Sequence, residues 1–249
     1  MRDLAVLWPA LIAGLLVAAT HVPLGIQVLN RGIVFIDLAV AQIAGLGVVF
    51  ADWLGFEPQG AAVQVSALAA ALAGALVLNW TEKLWPDVQE AVIGVAFVLA
   101  ANAAMLLLAA NPHGAEHLKD LLVGQILWVT PGRLALVAVA TALIVAAWFA
   151  LGTRLGRIGF YVLFACAVTV AVQLVGLYLV FATLIVPALA TRRLARGRIA
   201  LGYAVAALSY AAGLAASMAT DLPAGPLIVC TMTAVGLLAY LAARSARGA

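Results

Sequence analysis

Charge is what this 249-residue chain has least of. Lysine, arginine, aspartate and glutamate make up 9% of it, against 67% hydrophobic residues, and its mean hydropathy is +1.18. A soluble domain carries about 25% charged residues, so this chain cannot clothe a globular surface with polar groups and must be solvated by lipid. Cysteine is almost absent. Cys166 and Cys230 lie far apart inside apolar runs, which excludes a cysteine-ligated metal centre and makes both read as small core hydrophobes. Lysine is equally scarce. Neither Lys83 nor Lys119 follows a glycine-rich loop, so the chain lacks the G-x-x-x-x-G-K-[ST] phosphate cradle. Any ATP-driven work therefore requires a motor on another polypeptide. The net charge of +3 is no nucleic-acid signal, because the arginines sit at the ends of apolar runs, where membrane topology accounts for them. The alternation over about ten residues that marks a membrane barrel is also missing.

Apolar runs of helical length fill the chain instead. A spanning helix takes about 20 residues and satisfies its backbone internally. Spans are expected near 5–28, 33–54, 60–80, 88–110, 132–152, 200–219 and 225–244. The first run continues past the length of a signal-peptide core and is read as a retained helix. Residues 158–190 hold no charge and are too long for one span yet tight for two, with Gln173 and Gly176 offering a turn. The expected fold is thus an all-α polytopic transmembrane bundle of eight or nine spans, forming one domain over residues 1–249. With nine spans and the N-terminus outside, ten basic residues (Arg31, Lys83, Arg154, Arg157, Arg192, Arg193, Arg196, Arg198, Arg244 and Arg247) face the cytoplasm. Arg2, Lys119 and Arg133 then lie outside. Eight spans with the N-terminus inside give nine against four, so the positive-inside rule favours nine slightly. Residues 111–130 form the only sizeable loop, with a short helix expected from about 115 to 127. Asp221–Gly225 reads as a tight turn. Small residues at helical spacing, such as Ala69 with Ala73 and Gly213 with Ser217, suit close helix packing.

Few residues could carry chemistry. Asp37 and Gln42 fall in the second span, Glu90 opens the fourth and Asn102 lies deeper in it. Ionisable groups in a membrane usually face a cavity or a partner. Asp37 and Glu90 equally suit interfacial helix N-termini, where the dipole favours a carboxylate. His113, Glu116 and His117 form the sharpest local cluster. Imidazole with carboxylate suits zinc or a similar ion, and the spacing matches H-x-x-E-H. Pro112 and Gly114 break the long helix that a metalloprotease needs, which leaves a metal contact at a pathway mouth or an ordinary solvated loop. His21 reads as a packed or interfacial residue of the first span. No nucleophile–base constellation points to an intramembrane enzyme.

Five segments in order carry a resemblance: Leu29–Phe35, Glu90–Val95, Leu122–Leu127, Val175–Ala188 and Asp221–Gly225. From about Leu11 to Leu241 the chain resembles the membrane-permease subunit of the zinc/manganese ABC importer family, also called the ABC-3 family. The resemblance implies two permease copies around one pathway, driven by a cytoplasmic ABC ATPase and supplied by an extracytoplasmic metal-binding protein. It implies an inner-membrane location, a divalent metal ion as cargo and no cofactor bound by the chain itself. Asp37, Gln42, Glu90 and Asn102 would line the pathway. His113, Glu116 and His117 would meet metal at its outer mouth, and Arg154, Arg157, Arg192 and Arg193 would contact the ATPase. Two departures stand out. Where the family carries Asp-Ala-x-Ser-His in the second span, alignment on Gly47 puts Gln42 at the histidine and Leu38 at the aspartate, with Asp37 one residue earlier. An amide oxygen in place of an imidazole shifts preference toward harder ions. The acidic segment expected between the fifth and sixth spans is only the short basic turn 152–159, which keeps open a non-transporting scaffold or a motor-independent channel.

Overall fold

Uninterrupted apolar sequence folds here into nine α-helices among the described residues. The structure is a computed structural model that describes residues 2–57, 60–108, 122, 124, 126–151, 154, 156–194 and 196–245. The helices are α1 (Arg2–Arg31), α2 (Ile36–Trp53), α3 (Ala61–Leu84), α4 (Gln89–Leu108), α5 (Pro131–Leu151), α6 (Gly156–Val175), α7 (Leu177–Thr191), α8 (Arg198–Thr220) and α9 (Ala224–Ser245). Eight are long and apolar enough to cross a membrane, and α7, with 15 residues, is shorter. The expected helix at 115–127 falls largely outside the described residues. Within that stretch, Ile126–Trp128 is a single 3₁₀ turn.

The ambiguous stretch 158–190 is two helices that meet at Gly176. Its φ of 83° and ψ of 163° belong to a region that is essentially glycine-only. Named contacts fix their directions. Arg31, at the end of α1, lies 4.2 Å from the ring centre of Phe160, at the start of α6. Ile26 of α1 shares a groove with Arg198 and Tyr203 at the start of α8. Residues 192–197 alone join α7 to α8, so α7 ends where α6 begins, and the pair is a hairpin. The nine helices therefore alternate in direction, and the two chain termini lie at opposite ends of the bundle.

Because lipid is as apolar as leucine, helix association relies on close approach and polar contacts. Glycines supply the approach. A Cβ on Gly25 would collide with the Leu184 carbonyl, and one on Gly14 with the Tyr210 ring, so α1 lies directly on α7 and α8. Gly47 lets α2 reach α3, where the Ser66 hydroxyl donates to the Gly47 carbonyl at 2.7 Å. Gly213 meets the Ile228 backbone between α8 and α9. Of the small pairs expected to pack, Ala69 and Ala73 are instead exposed, because α3 turns Ala67, Ala71 and Ala75 inward. Cys230 is likewise exposed rather than in the core, and Cys166 is half-buried. His21 is fully buried near the middle of α1. Asp221 ends α8 in the left-handed conformation, and the Ser217 hydroxyl donates to the Leu222 carbonyl at 2.6 Å, which makes 221–223 the expected turn.

Gly124 (φ 72°) packs against the Val175–Gly176 backbone. Two of the five segments singled out in the sequence thus meet where the chain reverses. Gly176→Ala is expected to cost about 1–3 kcal/mol and to lower the thermal midpoint of the detergent-solubilised protein. Gly94→Ala, which meets nothing within 4 Å, should leave that midpoint unchanged.

Candidate functional site

The link from α1 to α2 is short. Gly32 takes a φ of 71°, and the Ile33 amide donates back to the Val28 carbonyl. This bend delivers Asp37 to the first turn of α2 with its side chain directed inward. Asp37 is 0% exposed, and neither carboxylate oxygen has a hydrogen-bond partner among the described residues. It therefore occupies a helix N-terminal turn that protein, not headgroups, encloses. Burying a carboxyl without a partner is costly.

Glu90 sits in the first turn of α4. Its Oε1 accepts the Phe35 amide at 3.1 Å, tying α4 to the link that precedes Asp37, while its Oε2 is buried without a hydrogen-bond partner among the described residues. Gln42 is half-buried further along α2. Asn102 is exposed. Its amide nitrogen donates to the Val98 carbonyl at 2.8 Å, and it lines an open apolar groove of about 810 Å³ with Phe35, Leu38 and Val95 between α2 and α4. The structure thus brings Glu90 to the turn that carries Asp37, but sets Asn102 on the outer face, apart from both. His113, Glu116 and His117 lie outside the described residues. Among the described residues no three histidine, cysteine, aspartate or glutamate side chains cluster as a metal site.

The four arginines expected at the ATPase share one end of the bundle, in two groups. Arg154 lies between α5 and α6, and Arg157 is in the first turn of α6. Arg157 Nε lies 3.7 Å from Glu82 Oε2. Arg192 and Arg193 lie 5.5 and 5.1 Å from the Tyr240 ring centre, clamping the end of α7 to α9.

Sequence reasoning missed a polar network at that same end. Thr81 Oγ1 donates to Gln89 Oε1 at 3.1 Å, and Gln89 Nε2 donates to the Leu78 carbonyl at 2.9 Å, closing the α3–α4 turn. Tyr161 of α6 is fully buried, and its hydroxyl lies beside Glu82 and Gln89 without closing a well-formed hydrogen bond among the described residues. The signal was present as polar residues 79, 82 and 89 around a helix end, but it reads as ordinary interfacial sequence. A second buried set lies midway through the bundle. His21 Nδ1 lies 3.0 Å from the Val17 carbonyl and 2.8 Å from Thr20 Oγ1, and the Thr183 and Tyr210 hydroxyls share a 2.8 Å hydrogen bond.

The sequence matches the ABC 3 transport family over residues 3–156 and 145–243. The chain belongs to that family. As an ABC 3 family member it is a multi-span membrane permease of an ABC transporter, and the resemblance carried by the five segments holds. The fold is also that of solved transporters. PsaBC from Streptococcus pneumoniae, solved in complex with a Fab, is 20% identical, with a TM-score of 0.76 over 94% of this chain and 90% of that one. A protein described as a metal-chelate type ABC transporter, in an inward-facing conformation, is 17% identical, with a TM-score of 0.71 over 94% and 85% of the two chains.

The Glu90–Phe35 contact can be tested directly. Glu90→Ala should speed hydrogen exchange of the Phe35 amide, whereas Glu90→Gln, which keeps an acceptor oxygen, should largely preserve its protection.

Proposed function

We propose that this chain is the membrane-spanning permease subunit of an ATP-driven importer of a divalent metal ion, of the zinc/manganese type, in the inner (cytoplasmic) membrane. Asp37 carries this reading: a carboxyl fully enclosed by protein in a lipid-embedded bundle, with no hydrogen-bond partner among the described residues, has a use if a cation passes beside it. Gln42 lies on the same helix and adds an amide oxygen, which favours the harder ions of this class. Glu90 holds the turn in front of Asp37 and keeps one oxygen free. Asn102 is costly to leave against lipid, and a second copy covering the α2–α4 groove would enclose it, which supports a homodimer with the pathway near that face.

The positive-inside rule places the end bearing Arg154, Arg157, Arg192 and Arg193 in the cytoplasm. There the arginines would dock a separate ABC ATPase, since the chain has no phosphate cradle of its own. The opposite end, with His113, Glu116 and His117, would receive the ion from an extracytoplasmic metal-binding protein. Residues 1–249 act as one permease domain, and transport proceeds by alternating access of the helices around Asp37.

Replacing Asp37 and Gln42 together by alanine should abolish cellular metal uptake while membrane insertion and co-purification with the ATPase persist. Normal uptake in that variant removes both residues from the pathway. The purified complex should hydrolyse ATP faster when metal and its binding protein are present. A chain that captures no ATPase points instead to a scaffold or a motor-independent channel.

A further inference from the structure

Eight buried side-chain polar atoms lack a hydrogen-bond partner among the described residues. Two are nitrogens, His21 Nε2 and Arg198 Nε. The six oxygens all lie at the end of the bundle where α1 finishes: both carboxylate oxygens of Asp37, Asn79 Oδ1, Glu82 Oε2, Glu90 Oε2 and the Tyr161 hydroxyl. Orphaned buried groups call for an explanation such as water or an ion. Five of the six belong to carboxylates or an amide and can accept, and the sixth, the Tyr161 hydroxyl, can accept or donate.

Three of these oxygens belong together and lie outside the proposed pathway set. Asn79 and Glu82 are one turn apart on α3 and so share a face. Tyr161 of α6 is beside Glu82. Asn79 is 5% exposed and Tyr161 0%. Gln89, also beside Tyr161, directs its closest hydrogen bonds elsewhere, its amide nitrogen to Leu78 and its amide oxygen to Thr81. Their depth follows from packing. Ile43 of α2 meets Gly74 of α3 in antiparallel register. Asp37, six residues back along α2, is therefore level with Asn79, five residues on along α3. Glu82 lies one turn nearer the end of the bundle.

We propose that Asn79, Glu82 and Tyr161 form a second cation station, which holds a hydrated divalent cation through oxygen between Asp37 and the basic end of the bundle. The inference rests on the reading of that end as the cytoplasmic exit of the pathway. Hard divalent cations bind carboxylate, amide and water oxygens together. A station with a single carboxylate binds weakly enough to release its ion, as conduction requires. Arg157 approaches Glu82 Oε2 at 3.7 Å with a side chain 44% exposed. The contact is long and the Arg157 side chain can swing into water while Glu82, 17% exposed, stays in place, so the guanidinium gives way to a divalent ion.

The test uses the full chain in lipid nanodiscs, with Mn²⁺ as the probe and the spin-resonance signal of free Mn²⁺ as the readout. In an Asp37→Asn background one Mn²⁺ site should remain. Adding Glu82→Gln should weaken it by about tenfold or more, and Arg157→Gln should strengthen it. Tyr161→Phe removes one oxygen without changing the packing and should weaken binding in the same direction, so the test does not depend on one variant folding. No Mn²⁺ bound in the Asp37→Asn protein, or binding that neither Glu82→Gln nor Tyr161→Phe alters, overturns the station. Metal uptake separates this inference from the one beneath it. Unimpaired uptake by Asp37→Asn with Glu82-sensitive binding retained sinks the pathway reading alone. Lost uptake with no second site sinks the station alone.

Discussion

Close backbone contact at glycine is the constraint on which this bundle depends. In lipid, side-chain burial drives helices together far less than in water, and what remains is dispersion at short range and the satisfaction of polar groups. Gly14 and Gly25 seat α1 on α7 and α8, Gly47 seats α2 on α3, and Gly213 seats α8 on α9. Only with α1 lying this near α7 does the short link at Gly32 bring the first turn of α2 inside the protein. Asp37 is enclosed for that reason and not through any property of its own neighbours in sequence, which are as apolar as those of every other span.

Around that frame polarity is distributed unevenly. The outer faces of α4, α5 and α9 carry exposed leucine, valine and phenylalanine, as a lipid-facing surface must. The polar side chains collect instead in two layers. A middle layer of His21, Thr20, Thr183 and Tyr210 is largely self-satisfied. The layer at the end bearing Arg31, Arg157 and Arg192 is not: carboxylate and amide oxygens of Asp37, Asn79, Glu82 and Glu90 are buried there without a hydrogen-bond partner among the described residues. Hydrogen-bonded groups fix helices in register, and the middle layer is placed to do so.

Much of this was legible in the sequence. Helix number and position followed from run length, and the order of five short segments identified the family. Gly176 could be named as a turn because only glycine readily reaches its backbone conformation. The direction of α7 was harder to read, because 33 uncharged residues hold no periodic signal for a reversal; charge counting favoured it only slightly, and Phe160 meeting Arg31 and Ile26 meeting the start of α8 fixed it. Asp37 stood out by type, but its full enclosure did not, since an acidic residue opening a helix looks the same at a headgroup surface. Asn79, Glu82 and Tyr161 were overlooked for a related reason. They come from two helices distant in sequence, and each alone resembles the polar fringe of a span. Ala69 and Ala73 misled in the other direction, because in an alanine-rich helix every face offers small residues and only the neighbours decide which is used.

The brevity of α7 has a consequence for the backbone at its start. Fifteen helical residues extend about 22 Å, against a hydrocarbon layer of about 30 Å. Non-helical chain beside such a helix falls within reach of that layer, where every N–H and C=O needs a partner from protein or water. At Gly176 both partners come from the flanking helices: its amide donates to the Val172 carbonyl at 2.9 Å, and its carbonyl accepts the Val180 amide at 3.1 Å. The chain reverses there without leaving either polar group of the glycine bare to lipid.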